Sequence, residues 1–414
     1  MIVEFSVKNF RSIKDLQTIS FVATKLKSNQ ENYPDVDRNN IVEVAGMRLL
    51  KTVGVYGANA SGKSNVIKAL KYFLLFIMAP EYVNSGYSKI IDPFVFQKDY
   101  FEQETFFQIV LLVNDKKYRY GITIKKNENY RLGLKEYKIV SEWLFGFKEE
   151  SQEKYFTRNG SEVNKESLPN KEDIPDLQHE HNLFLSHAAF FDKGVCYKVM
   201  SDLEMKSLEY YMNGIDVTID FIKNEKVKLL NFLSSFGLNY IDIEVDEILN
   251  KHTSRHSNIS LFKLNEDGDK IKLNLREKES EGTRKLFDLA GFIISIFNEE
   301  RTEMILIIDE IDSNFHPSLL IKLIKMFNDP EINKAGAQLL FTSHDTNLLD
   351  PSIMRRDQFY FTEKDEQEAT RLYSLADLKG IRNDADFAKQ YLSGYYGAVP
   401  VLKDYSLEKE DENG

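Results

Sequence analysis

The stretch Val53-Gly54-Val55-Tyr56-Gly57-Ala58-Asn59-Ala60-Ser61-Gly62-Lys63-Ser64-Asn65 constrains this chain more than any other. The apolar run Val53, Val55, Tyr56 reads as a strand, Gly57 to Ser64 fit G-x-x-x-x-G-K-S, and Asn65 to Phe76 read as a helix. Strand, glycine loop and helix in this order form a phosphate-binding loop. Gly57 and Gly62 let the backbone curl so that several N–H groups, among them those of Asn59, Ser61 and Asn65, converge on one anion. Lys63 adds a point charge for the outer phosphates, and the Ser64 hydroxyl is a ligand for Mg²⁺.

The 414 residues suffice for one large domain or two, and the formal charge of −11 argues against uniform wrapping of nucleic acid while leaving room for a local basic groove. Cys196 is the single cysteine, which excludes an intrachain disulfide and fits a reducing compartment. His179 and His181 form a pair without a partner at ligand spacing and read as a polar loop. The start Met1-Ile2-Val3-Glu4-Phe5 alternates like a strand rather than a leader, and the apolar stretches Leu70 to Ala79 and Met304 to Ile308 are too short to span a bilayer. The expectation is a soluble, cytoplasmic protein with no membrane partner.

Along the chain, residues 2 to 23 suggest a strand pair, and residues 25 to 40 a loop. Thr105 to Leu112, Tyr118 to Ile124 and Tyr137 to Phe147 read as an antiparallel meander with turns at Asn114-Asp115 and Asn127-Asn129. A polar stretch from Lys148 opens a mostly helical insert running to about residue 250, with apolar periodicity from Leu203 to Leu233. Strand signals return at Ile259 to Leu264 and Ile271 to Leu275 around Asp267-Gly268. The expected division is an N-terminal lobe at 1–147, the insert at 148–250, a C-terminal lobe at 251–400 and an acidic tail at 401–414.

Met304 to Ile308 is a buried-type strand that ends in Asp309-Glu310. There Asp309 can hold Mg²⁺ and Glu310 can polarise a water as general base. A further strand, Gln338 to Thr342, ends in Ser343-His344, where open α/β sheets place their ligand chemistry. His344 is thus placed to hydrogen-bond a terminal phosphate. Ser280, Gly282 and Thr283 precede a helix whose apolar face runs from Leu286 to Phe297, a second anion site of exposed hydroxyl, close backbone and positive dipole end.

The order of these features resembles the ABC-type ATPase heads of the SMC, RecF and OLD groups. The opening Glu4-Phe5-Ser6-Val7-Lys8-Asn9-Phe10-Arg11-Ser12-Ile13 is similar to their amino-terminal strand and turn, which implies that Arg11 reaches the nucleotide. Within these groups the chain most resembles AAA-labelled, SMC-like ATPases of bacterial abortive-infection and anti-phage loci, the RloA, AbiL and PARIS ATPase type. Glu279 to Phe287, Asp309 to Pro317, Arg356 to Phe361 and Tyr391 to Pro400 carry that narrower match. Two departures stand out: the signature is Ser-Glu-Gly-Thr rather than Leu-Ser-Gly-Gly-Gln, and Gln97, after Asp92 to Phe96, is only a candidate for the metal-side glutamine.

The resemblance implies an α/β P-loop NTPase of ABC-ATPase head type: a mixed sheet plus an antiparallel β subdomain, with a mostly helical insert. It further implies ATP and Mg²⁺ as cofactors and a head-to-tail dimer, or a higher oligomer, with ATP between protomers. Lys63, Ser64, Asp309, Glu310 and His344 would act in cis, Ser280 and Gly282 in trans, and Asp312 would link the two sites. About 70 residues follow His344, fewer than the roughly 100–200 of a typical domain, so a nuclease activity would come from an effector partner. One function the resemblance implies is a defence ATPase that restrains such an effector until a phage product triggers it. The alternative is a RecF- or SMC-like repair ATPase that clamps DNA directly.

Overall fold

The strand entering the phosphate loop, Thr52–Gly57, lies at the centre of a five-stranded sheet. In spatial order the sheet runs Ile305–Ile308, Gln338–Thr342, Thr52–Gly57, Phe359–Lys364, Thr370–Ser374; the first four are parallel and the last is antiparallel. The computed structural model describes residues 1–78, 90–126, 137–148, 151–211, 214–245, 259–297 and 304–400. The expected turn at Asn127-Asn129 and the acidic tail lie outside them.

Alternation along these strands builds two cores. Val53, Val55, Ile305, Ile307 and Leu340 face one side, where the helix Lys63–Met78 packs through Val66, Ile67, Leu70, Phe73 and Leu74. Tyr56, Leu306, Ile308, Leu339 and Phe341 face the other, against the helices Glu281–Ile296 and Pro317–Asn328. Gly54 is required between them: a Cβ there would stand 2.6 Å from the Phe341 ring.

Beyond the loop helix lies a seven-stranded antiparallel sheet. Its order is Glu162–Asn164, Ser151–Asn159, Tyr137–Lys148, Lys116–Lys126, Thr105–Val113, Ile2–Lys8, Gln17–Ser20. The helix is therefore held between two sheets, with Phe73 stacked on Phe107 at 5.5 Å. The turn at Asn114-Asp115 has both residues at positive φ, as a two-residue hairpin demands. The α/β head with a mixed sheet and an antiparallel subdomain is thus the observed architecture.

The insert differs from expectation in two ways. The polar stretch after Lys148 is not its start: Ser151–Asn159 and Glu162–Asn164 extend the antiparallel sheet, so the expected boundary at 147 falls at the end of a strand within a hairpin. Polar residues dominate there because the strands lie at the exposed edge, which defeats a search for apolar alternation. The helices are also shared between cores. Phe184–Phe191 and Val195–Tyr211 pack toward the loop helix, whereas Gly214–Asn224 and Lys226–Ser235 join the second core. Helix Gly214–Asn224 crosses Glu281–Ile296 closely, with Thr218 Oγ1 donating to Phe287 O at 2.6 Å and accepting from Gly291 N–H at 3.0 Å. Two hairpins, Ile41–Val44 with Met47–Leu50 and Phe359–Lys364 with Thr370–Ser374, were not legible as strands.

Candidate functional site

The loop after Gly57 is shaped by close backbone packing. Gly57 and Gly62 have φ of 152° and 106°, and a Cβ on either would strike Thr362 O at 2.4 Å or Thr370 Oγ1 at 2.1 Å. Ser61 is tied to the same hairpin, sharing a hydrogen bond with Thr362 Oγ1 at 2.6 Å and accepting one from Thr370 Oγ1 at its carbonyl. This hairpin therefore fixes the loop from behind, leaving its other side toward a cavity of about 560 Å³. Asn59, Gly62, Lys63, Ser64 and Asn65 line that cavity from the loop, with Glu310 and His344 opposite.

Ser64 Oγ donates to Asp309 Oδ1 at 3.1 Å, and Thr342 Oγ1 donates to the same oxygen at 2.7 Å. Thr342 Oγ1 in turn accepts from Glu310 N–H at 2.7 Å, and Glu310 sits at φ 52°, a left-handed conformation rare outside glycine. Three adjacent strand ends are thereby stitched into one polar row. A carboxylate and a hydroxyl side by side are hard oxygen donors of the kind Mg²⁺ takes, with water and phosphate completing the shell. These residues fit a nucleotide and Mg²⁺.

Lys63 Nζ donates to Gly57 O and Ala58 O at 2.9 Å each. Burial pushes its ammonium below the usual lysine value, against the opposing pull of Asp309, Asp312 and Glu310. His344 is lowered by partial desolvation and then by the Lys63 charge, again opposed by the carboxylates, so its imidazole is biased to the neutral form. Its backbone N–H donates to Asp312 Oδ2 at 3.1 Å, which ties the segment after Glu310 to the segment after Thr342.

Other expected residues are placed differently. Arg11 is turned away from the cavity lining: its Nε is 3.0 Å from Asp92 Oδ2 and its guanidinium lies 5.7 Å from the Tyr72 ring. Its neighbour Ser12 enters instead, accepting from Asn65 Nδ2 at 2.7 Å and sharing a hydrogen bond with Thr370 Oγ1. Buried Asn9 organises this turn, donating to Tyr100 O and Gln103 O while accepting from Phe94 N–H. Gln97 is not in the lining either; its Nε2 donates to Gln367 Oε1 at 2.8 Å, on the turn between the last two sheet strands. The structure does not bring Gln97 to Asp309.

Ser280 and Gly282 lie outside this cavity, at the start of Glu281–Ile296. Ser280 is exposed and caps the helix by accepting from Thr283 N–H at 3.2 Å, while a Cβ on Gly282 would meet Asn314 O at 2.3 Å. Lys285, one turn on, escaped the sequence reading. Its Nζ donates to Glu310 O (3.0 Å), Ile311 O (3.2 Å), Ser313 O (3.0 Å) and Ser313 Oγ (2.6 Å). This helix is thereby fastened to the backbone that carries Glu310. The stretches Arg356 to Phe361 and Tyr391 to Pro400 are architectural: Gln358 Nε2 donates to Thr52 O, and Tyr391 OH donates to Ala398 O.

Among the described residues no group of three or more His, Cys, Asp or Glu could hold a metal, and no helix is long and apolar enough to cross a membrane. His179 and His181 stack on each other at 5.3 Å.

A strand–glycine loop–helix unit in a mixed sheet, faced by acidic and histidine strand ends, defines an α/β P-loop ATPase head. Residues 53–350 match the model of the family described as "AAA domain, putative AbiEii toxin, Type IV TA system", and the chain belongs to that family. It is thus an AAA-domain protein with a phosphate-binding loop. Among solved structures it is similar to the SMC head domain from Thermotoga maritima, with 13% identity, 90% of this chain and 98% of that one covered, and a TM-score of 0.40. It is also similar to an Smc head bound to the C-terminal winged-helix domain of ScpA, with 12% identity, 90% and 97% covered, and a TM-score of 0.42. No curated protein sequence matches the chain.

Proposed function

We propose that the protein binds ATP with Mg²⁺ and hydrolyses it, acting as a sensor and scaffold that controls a separate effector, such as a nuclease, in anti-phage defence. The observation that carries the nucleotide chemistry is the row Ser64–Asp309–Thr342–Glu310 facing the loop N–H groups. The bound nucleotide supplies a phosphoanhydride, and Mg²⁺ neutralises its charge. Gly57, Asn59, Ser61, Gly62 and Asn65 shape and complete the phosphate cradle, and Lys63 adds charge to it. Ser64 and Asp309 hold the metal, Glu310 orients the attacking water, and neutral His344 donates to the terminal phosphate.

Ser280, exposed, and Gly282, half-buried, at a helix start outside the cavity suit a role over the cavity of a second copy. The proposed assembly is therefore a head-to-tail dimer with ATP between the protomers, Asp312 linking the sites. The family's described tie to toxin–antitoxin systems supports the defence setting, with a phage-derived trigger releasing the effector.

The test is ATP binding and turnover together with phage plaque counts in cells carrying the gene and its neighbours. Glu310→Gln should bind ATP without turnover, Lys63→Ala should do neither, and both should lose protection. Turnover unchanged in either variant overturns the ATPase assignment. Full protection with Lys63→Ala overturns the defence role, and assembly that requires duplex DNA would support the DNA-clamp alternative instead.

A further inference from the structure

The seven-stranded sheet has one face on the loop helix and a second face that the mechanism does not use. Along Thr105–Val113, Lys116–Lys126 and Tyr137–Lys148, the residues alternating with the buried set point to this outer face. At one end the hairpin Ile41–Leu50 packs over it, covering Val110 and Leu112 with Val42, Val44 and Met47. Over the rest, Phe106, Trp143, Phe145 and Phe147 stay only half-buried.

Their geometry is that of a platform. Trp143, the single tryptophan of the chain, pairs across strands with Gly121, where a Cβ would stand 2.2 Å from the indole. The missing side chain lets the indole lie flat on the sheet, beside the Phe106 ring at 5.6 Å and an interplanar angle of 29°. Phe147 is flanked by cations, with Lys117 Nζ 4.2 Å and the Arg119 guanidinium 5.1 Å from its centroid. Arg119 Nε is buried and has no hydrogen-bond partner among the described residues.

Charge sets the partner class. In a chain of net charge −11, this face gathers Lys8, Lys117, Arg119, Lys125, Lys138 and Lys154 against Glu4 and Glu162. Flat aromatic rings ringed by cations suit unstacked bases on a polyanionic backbone, whereas a duplex presents no free base face.

We propose that this outer sheet face binds single-stranded nucleic acid, bases stacking on Trp143 and Phe106 and phosphates meeting Lys8, Lys117 and Arg119. The first strand then links the face to the ATP site, since Lys8 leads through the Asn9 turn to Ser12, which accepts from Asn65.

The single tryptophan is its own reporter. Full-length protein is titrated with oligothymidylate, oligouridylate, a mixed-sequence duplex and poly-glutamate while Trp143 emission is followed. Either single strand should quench the emission, with an affinity that falls steeply with salt, and comparison of the two separates DNA from RNA as the source. Measured by anisotropy of a labelled strand, Phe106→Ala with Trp143→Ala should weaken binding about tenfold, and Lys117→Ala with Arg119→Ala should also lower the salt slope. Thermal midpoint and ATP binding of each variant confirm that it has folded, and Trp143→Phe keeps a ring should the alanine variants unfold. No quenching by either strand, equal quenching by poly-glutamate, or binding insensitive to both pairs of substitutions overturns the proposal.

Discussion

Thr342→Val is the sharpest perturbation of the site, because it is nearly isosteric and leaves every residue proposed to contact ATP or its metal in place. Thr342 is fully buried, and its hydroxyl donates to Asp309 Oδ1 and accepts from Glu310 N–H, each at 2.7 Å. Valine removes both. The Glu310 amide then loses its partner at a residue already held at φ 52°, and because Glu310 is exposed this loss costs only about 1 kcal/mol. The bond to a carboxylate contributes roughly another 1.5 kcal/mol, so the expected loss of stability is about 2.5 kcal/mol. The larger effect is on rate. The Thr342 hydroxyl holds the Glu310 amide to the neighbouring strand while Ile311 N–H donates to Thr342 O at 3.0 Å beside it, and a shift of about 1 Å in a reacting group costs on the order of 100-fold. The assay is steady-state ATP turnover with urea midpoints, alongside ATP affinity. The prediction is kcat down about 100-fold with ATP affinity kept to within a few-fold. Turnover within about twofold of wild type would refute the idea that Thr342 positions Glu310.

Gly62→Ala should abolish nucleotide binding and lower the thermal midpoint, since its Cβ would overlap Thr370 Oγ1 at 2.1 Å at a φ of 106°; normal binding in a calorimeter would contradict the packing argument. Lys285→Ala should reduce kcat at least tenfold with little change in KM, because it frees the carbonyls of Glu310, Ile311 and Ser313 while leaving the loop intact. An NMR titration of the free protein should place His344 below its ordinary value of 6.5. The unfolded chain then binds more protons than the folded one just below 6.5, so this group favours folding above that pH and the contribution is lost as pH falls through the folded value. A midpoint at or above 6.5 would show that the carboxylates outweigh burial and Lys63.

What could be read from the chain depended on whether a residue's role is local. Gln338–Thr342 and Ile259–Leu264 are expected within their observed bounds, because a short, mostly apolar run between turn residues leaves few alternatives. The phosphate loop was equally legible, since its glycines are fixed by backbone curvature within eight residues. Roles set by distant contacts were not. Thr342 gives one sign in the sequence, a polar residue ending an apolar strand, but its pairing with Asp309 spans 33 positions. Thr362 and Thr370 brace the loop from a hairpin whose sequence, Phe359 to Ser374, shows no clean alternation because both sides are covered or edge-exposed. Arg11 was expected at the nucleotide and pairs with Asp92, while Ser12 occupies the place; a single-residue shift in a turn with two positive-φ positions cannot be resolved from spacing. The edge strands Ser151–Asn159 and Glu162–Asn164 were hidden by the polar composition that protects an edge.

In the proposed dimer ATP joins two copies of this chain across their loop and Ser280 faces. This joining is tested most directly by mass from light scattering, with and without ATP and Mg²⁺, for wild type, Glu310→Gln, Lys63→Ala and Ser280→Arg. The account predicts a heavier, ATP-dependent species that accumulates in Glu310→Gln and is absent from Lys63→Ala and from Glu310→Gln combined with Ser280→Arg. A mass that ignores nucleotide in every variant, or assembly that survives Ser280→Arg, would contradict it.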